Sequence, residues 1–236
     1  MPLRSTASAS LLLLTLATGA VNAIGFMALG GVFTSVMTAN LGLLGLAAGG
    51  GRAALAGHAA VAIAGFAAGV PIGGRLAATE GGSRWAGVRG ALAAELLILC
   101  GITAAWAALD GRPGGTGRLV LLAAAAVAMG CQSGTVQVGA PPGTSTTYLT
   151  GAITGVLSEL ARTGAFRART ALVIAMLPLG AALGGLLVTR AREAAPAAPA
   201  LLVGAALALS WRGAAPSWRE TPRAHRAGEP RESPET

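Results

Sequence analysis

The hydrophobic pattern of this chain is a series of eight apolar segments broken by short Gly-, Pro- and Arg-containing stretches. Residues 10–29, 53–74, 88–109, 119–138 and 170–189 each run for about 20 positions, enough at 1.5 Å per residue to cross roughly 30 Å of hydrocarbon. Residues 32–49, 144–161 and 197–211 are apolar but shorter. The breaks are read from chemistry. Gly30-Gly31 and Gly49-Gly50-Gly51-Arg52 make turns, and residues 75–87 form a loop carrying Arg75, Glu80 and Arg84. Asp110 to Arg118 is a Gly/Pro-rich connector, and Gly139-Ala140-Pro141-Pro142-Gly143 is a hard turn because Pro fixes φ and lacks a donor. Arg162 to Arg169 is a basic loop. From Arg212 to Thr236 the chain is rich in Pro, Arg and Glu, a composition that predicts a disordered tail. The first segment also has the look of a signal peptide, with Arg4, Leu11 to Leu14 and the small-residue site Val21-Asn22-Ala23. Its apolar run continues to Leu29 and further spans follow, so an uncleaved first helix is the better reading.

The segments repeat. Gly19-Ala20-Val21-Asn22 followed by Phe33-Thr34-Ser35-Val36-Met37-Thr38-Ala39-Asn40 is echoed by Gly130-Cys131-Gln132-Ser133 followed by Ser145-Thr146-Thr147-Tyr148-Leu149-Thr150-Gly151. Gly65, Gly69 and Gly73 lie on one face of their segment, a close-packing surface in a bilayer, and Gly69 and Gly73 return as Gly180 and Gly184, 111 positions on. This predicts an all-α integral membrane bundle of two similar halves, residues 1–109 and 119–211, with 110–118 joining them and 212–236 as tail. The bundle has six to eight transmembrane helices. If the Thr-rich segments 32–49 and 144–161 span, there are eight crossings and the halves run parallel; if they are re-entrant, there are six and the halves are inverted. About 17 residues without a central breaker favour eight. Either way twelve of the 17 arginines collect on the side of the N-terminus. Both termini are therefore expected in the cytoplasm of a bacterium, with the chain in the inner membrane.

Composition agrees. The chain is 53% hydrophobic and 11% charged, against about 25% charged in soluble domains. Trp85, Trp106, Trp211 and Trp218 fall near segment ends, where interfacial anchors belong. The formal charge of +8 is carried entirely by Arg, scattered between apolar runs. No basic face with aromatics forms, so nucleic acid is not expected as a partner. The partner is the lipid bilayer. Cys100 and Cys131 sit singly in apolar segments, without metal or CxxC spacing, and read as small apolar fillers. His58 opens one span. There is no HExxH, P-loop or GxSxG pattern, so no enzyme activity, metal or cofactor is expected.

What chemistry remains lies inside the apolar segments. Asn22, Thr38, Asn40, Gln132, Thr147 and Thr150 are polar, and a polar group facing lipid costs a few kcal/mol, so they should face the interior. In one reading they line a path for a small molecule or ion between the halves; in the other they are hydrogen-bonding glue. Glu95 is the carboxylate well inside a span, and such a group is a candidate proton carrier. Its counterpart in the other half, Ala206, is not acidic. The expected function is a small-solute transporter or permease-like carrier. The first rival is a non-transporting scaffold or assembly factor. The second is an intramembrane lipid enzyme, which would need a His, Asp or Cys cluster.

The motif Ala28-Leu29-Gly30-Gly31-Val32-Phe33 with Met37-Thr38-Ala39-Asn40-Leu41, and its echo Ala128-Met129-Gly130-Cys131-Gln132-Ser133 with Gly143-Thr144-Ser145-Thr146-Thr147-Tyr148-Leu149-Thr150-Gly151, resembles the YoaK-like family of bacterial polytopic membrane proteins. The likeness covers roughly residues 10–210. It implies an integral cytoplasmic-membrane protein and supplies no substrate or catalytic residue. Asn22 stands where members of that family commonly carry Asp, and Ala39 where they carry Gly. An Asn cannot titrate, so if that Asp is a proton or cation site in relatives, the resemblance implies that this chain is either uncoupled or uses another group, such as Glu95.

Overall fold

The computed structural model describes residues 6–78, 84–139 and 149–212. Among them are eight α-helices and no strand: α1 (Thr6–Ala28), α2 (Met37–Gly49), α3 (Ala53–Ala77), α4 (Arg84–Ala108), α5 (Gly115–Gly139), α6 (Leu149–Thr163), α7 (Ala168–Arg190) and α8 (Ala197–Arg212), with a 3-10 turn at Arg192–Ala194. Among the described residues six helical stretches are long and apolar enough to cross a membrane: α1, α3, α4, α5, α7, and Arg192–Trp211, where the 3-10 turn runs on into α8 for 20 residues in all. The protein is a multi-pass helical membrane bundle.

The expectation of eight crossings gives way here. α2 has 13 residues and α6 has 15, about 20 and 22 Å of helix against roughly 30 Å of hydrocarbon. Residues 32–36, counted above with the second apolar segment, are not helical. α5 also begins at Gly115, inside the expected connector. The tail beyond Arg212 and Thr147 lie outside the described residues.

Two glycine seams organise the bundle. α1 packs on α7, and α3 on α5. A Cβ on Gly19 or Gly180 would fall inside contact distance of the Leu177 or Leu16 carbonyl oxygen. On the other seam a Cβ on Gly69 or Gly73 would strike the Val127 or Cys131 carbonyl oxygen, and one on Gly130 the Phe66 oxygen. Backbones this close gain dispersion contacts that lipid cannot match. α1 and α5, which touch each other, are the most enclosed spans, and α8 packs on both α1 and α4. The core between them holds Leu29, Val32, Trp106, Leu122, Met129 and Val203, each buried.

The ends are pinned by polar groups. Trp106 Nε1 donates to the Arg192 carbonyl (2.8 Å), and Arg192 Nε donates to the Gly111 carbonyl (2.7 Å). The α4–α5 turn is thereby fixed to the α7–α8 turn. Asp110 (φ 50) and Gly111 (φ 66) are both left-handed and close α4, with Gly111 N–H donating to the Trp106 carbonyl. At the other end Arg89 donates to the Ser210 carbonyl through Nε (3.2 Å) and Nη2 (2.6 Å), satisfying a terminal carbonyl of α8. Its guanidinium also lies 4.5 Å from the centroid of Trp211.

Candidate functional site

The site begins where α1 ends. Gly30 (φ +119) and Gly31 (φ +76) turn the chain in a conformation that L side chains avoid. The segment then runs back along α1. Thr34 and Ser35 come to lie beside Asn22, six residues before the helix end, about 9 Å into the bundle. A non-helical limb inside a bilayer must have its N–H groups satisfied by protein. Asn22 does much of this. Its Oδ1 accepts from Thr34 N (3.0 Å), Ser35 N (3.0 Å) and Thr34 Oγ1 (3.1 Å), while Nδ2 donates to Ser35 Oγ (2.7 Å). Asn40, in the first turn of α2, grips the same limb: its Oδ1 accepts from Phe33 N (3.0 Å) and its Nδ2 donates to the Phe33 carbonyl (2.5 Å). Both asparagines are buried. α2 then packs on α3. Residues 29–49 thus form a hairpin of a non-helical limb and a short helix.

Gln132 meets the same face of α1 one turn earlier. Its Nε2 donates to Thr18 Oγ1 (2.8 Å) and lies 3.3 Å from the Leu14 carbonyl. Thr15, Thr18 and Asn22 share one buried face of α1, at helical spacing. Thr15 and Thr18 also bond the Leu11 and Leu14 carbonyls of their own helix. The structure therefore joins Asn22 with Asn40, and Gln132 with the next turn of α1. Thr38 and Thr150 are exposed on the bundle surface and meet neither group. Thr147 is outside the described residues. Thr18, Thr34 and Ser35 are site residues that the polar-pair pattern alone does not single out.

Glu95 stands apart from these polar groups. It lies near the middle of α4, fully buried, and neither carboxylate oxygen has a hydrogen-bond partner. Cys131 of α5 is within electrostatic reach of it. The other elements packed on α4 bring His58 and Arg75 near the two ends of α3, Arg118 near the start of α5, Arg192 and Glu193 on the 3-10 turn, and no titratable group on residues 197–211 of α8. Among the described residues no group of three or more His, Cys, Asp or Glu side chains gathers to hold a metal. A cavity of about 10 Å³ lies between α1, α4 and α5, lined by Val21, Ile24, Leu29, Leu99, Ile102 and Ala125. Its lining is apolar, so it gives a water no partner. A wider open cavity, about 660 Å³, lies at the pinned turns between Asp110, Arg112, Arg190 and Glu193, away from the asparagines.

A family model described as "Protein of unknown function (DUF1275)" matches residues 10–209 of the chain. No curated protein and no solved structure matches it.

Proposed function

The chain belongs to this family of unknown function, and on the evidence of its own residues we propose that it is a secondary transporter of a small solute with Glu95 as its proton-carrying group. The observation that carries the reading is the correspondence of the two glycine seams. Gly180 over the Leu16 oxygen, Gly184 over the Ala20 oxygen and Gly19 over the Leu177 oxygen recur as Gly69 over Val127, Gly73 over Cys131 and Gly130 over Phe66. Every residue in these three pairs is shifted by 111 positions. With α2 and α6 too short to cross, α1 and α5 enter the membrane from opposite sides. Repeats of opposite direction meeting along two matched seams are an architecture of secondary transporters, with broken elements near the midplane. The 29–49 hairpin is such an element. Pro71 in α3 and Pro178 in α7 also each remove one backbone donor from the otherwise continuous helices that form the outer halves of both seams. The proposal places the chain in a bacterial inner membrane with both termini in the cytoplasm, and it includes no enzymatic step.

One observation favours the scaffold reading for part of the site. Asn22 and Asn40 are engaged with the backbone of the limb, which is the role of structural glue. The transport reading therefore assigns them to holding the hairpin and leaves coupling to Glu95, whose oxygens hold nothing.

The test uses the full chain in proteoliposomes enclosing a pH-sensitive dye. Addition of a solute from a broad panel is expected to change internal pH with the parent and not with Glu95→Gln. Glu95→Leu should at the same time raise stability in detergent by about 1–3 kcal/mol, because removing a buried polar group that lacks partners relieves its desolvation cost. A Glu95→Leu variant that is less stable than the parent, with no solute moving protons in either, would assign Glu95 to structural support and leave the scaffold reading standing.

A further inference from the structure

The connection between α5 and α7 carries α6, which neither crosses the membrane nor joins the core. Its packing is on α7 alone among the helices it touches at length. Ile153, Val156, Leu157 and Leu160 follow each other at intervals of three, one and three, which puts them on one face. Val156 is buried, but Ile153, Leu157 and Leu160 are 43%, 59% and 39% exposed. Thr154, Ser158, Glu159 and Arg162 occupy the opposite face. The helix ends at Gly164 (φ +69), whose N–H donates to the Leu160 carbonyl. Beyond it Phe166 is 61% exposed.

The charges are gathered on the same short stretch. Arg162 lies 3.2 Å and Arg167 3.5 Å from Glu159 Oε2, so one carboxylate ties the helix to the turn that follows. Both guanidinium side chains stay largely exposed, and Arg169 is exposed as well. The stretch from Glu159 to Arg169 thus holds three arginines and one glutamate. The flanking elements α5 and α7 are both membrane spans, so the two ends of α6 are held at one face of the bilayer.

We propose that α6 and the turn to Arg169 form an interfacial anchor for anionic phospholipid. Ile153, Leu157, Leu160 and Phe166 enter the acyl boundary, while Arg162, Arg167 and Arg169 hold headgroup phosphates. A helix with one apolar and one polar face, tethered at the bilayer surface and flanked by Arg, has both components of interfacial binding: buried apolar area and attraction to negative lipid. Glu159 positions two of the arginines and limits the net charge of the patch.

The test titrates short-chain phosphatidylglycerol or phosphatidylcholine into the detergent-solubilised full chain and counts bound lipid by native mass spectrometry. Each arginine changed to Gln should weaken phosphatidylglycerol binding roughly fivefold, and the triple variant R162Q/R167Q/R169Q about a hundredfold, with phosphatidylcholine unaffected. Raised salt should shrink the difference. All three arginines are on the surface, so the variants are expected to fold, which an unchanged melting temperature in neutral nanodiscs would verify. In nanodiscs of one part phosphatidylglycerol to three parts phosphatidylcholine, hydrogen exchange of residues 150–163 should slow in the parent and not in the triple variant. Equal phosphatidylglycerol binding by parent and triple variant would overturn the proposal. So would inorganic phosphate competing the lipid away at equal concentration, since the arginines would then be serving a soluble anion.

Discussion

Asn22→Leu is expected to lower the unfolding free energy of the detergent-solubilised protein by about 3–9 kcal/mol, because three buried donors lose their acceptor at about 1–3 kcal/mol each. Thr34 N, Ser35 N and Thr34 Oγ1 all donate to the one Oδ1 atom, and the limb has no water at that depth to replace it. Asn22→Asp is the informative partner. All three donors suit a carboxylate oxygen, and Ser35 Oγ, which now accepts from Nδ2, can turn its hydroxyl and donate to the second oxygen. The Asp variant should therefore fold within about 1 kcal/mol of the parent, since hydrogen bonds to the charged form offset its desolvation. Equilibrium unfolding in mixed micelles measures both. A Leu variant as stable as the parent would mean that the limb is held by apolar packing and that the asparagine clamp is incidental.

Combining Gly69→Ala with Gly73→Ala should cost about 2–6 kcal/mol, at 1–3 kcal/mol for each overpacked site. Each new methyl meets backbone rather than a flexible side chain: Val127 and Cys131 carbonyl oxygens, with further α5 backbone atoms within 3.0 Å. Backbone cannot change rotamer, so α3 and α5 must separate. Gly42 and Gly45 in α2 provide the control. Nothing lies within 4 Å of a Cβ at either position, and Ala is a better helix former than Gly by about 1 kcal/mol. Gly42→Ala and Gly45→Ala should leave stability unchanged or raise it. The contrast removes general effects of added apolar surface. If all four positions respond alike, the seams are not the contacts that hold the bundle.

The spans and seams are legible in the sequence because each has a local signature. Length and hydropathy mark five of the six spans, the sixth gaining its length from the 3-10 turn before α8, and four-residue glycine spacing marks the face of α3 that meets α5. The burial of Asn22, Asn40, Gln132 and Glu95 follows from the cost of polar groups in hydrocarbon. The hairpin is harder to see. Residues 32–36 are as apolar as a helix, and what keeps them non-helical is a pair of asparagines, one lying 12 and 13 positions before its partners and the other seven after. Composition does not report such pairings. Thr38 and Thr150 illustrate a different failure. Their motifs look alike, but at the 111-residue offset of the seams Thr38 corresponds to Leu149 and Thr150 to Ala39. Similar composition in a different register puts side chains on different faces. The Thr15–Thr18–Asn22 face of α1 is readable from spacing once Asn22 is known to be buried. The amphipathic spacing of α6 is also present in the sequence, but is masked when residues 144–161 are treated as one apolar block.

The packing of α1 on α7 and α8 has a consequence for how the chain is made. α1 leaves the ribosome well before α7 and α8, its main partners, which follow it by more than a hundred residues. At ordinary translation rates the interval is on the order of ten seconds. Throughout it, Gly19 faces lipid or a protein stand-in, and Thr18 waits for Gln132, more than a hundred residues away in sequence. Asn22 does not wait, since its partners on the limb emerge directly after it. The limb is thus an early-folding unit that shields the most polar residue of α1 during insertion. The α1–α7 seam is a later one, open to an insertase or membrane chaperone until α7 is made. Truncation before α7 should therefore give a chain that inserts but does not mature, and that is handed to membrane quality control.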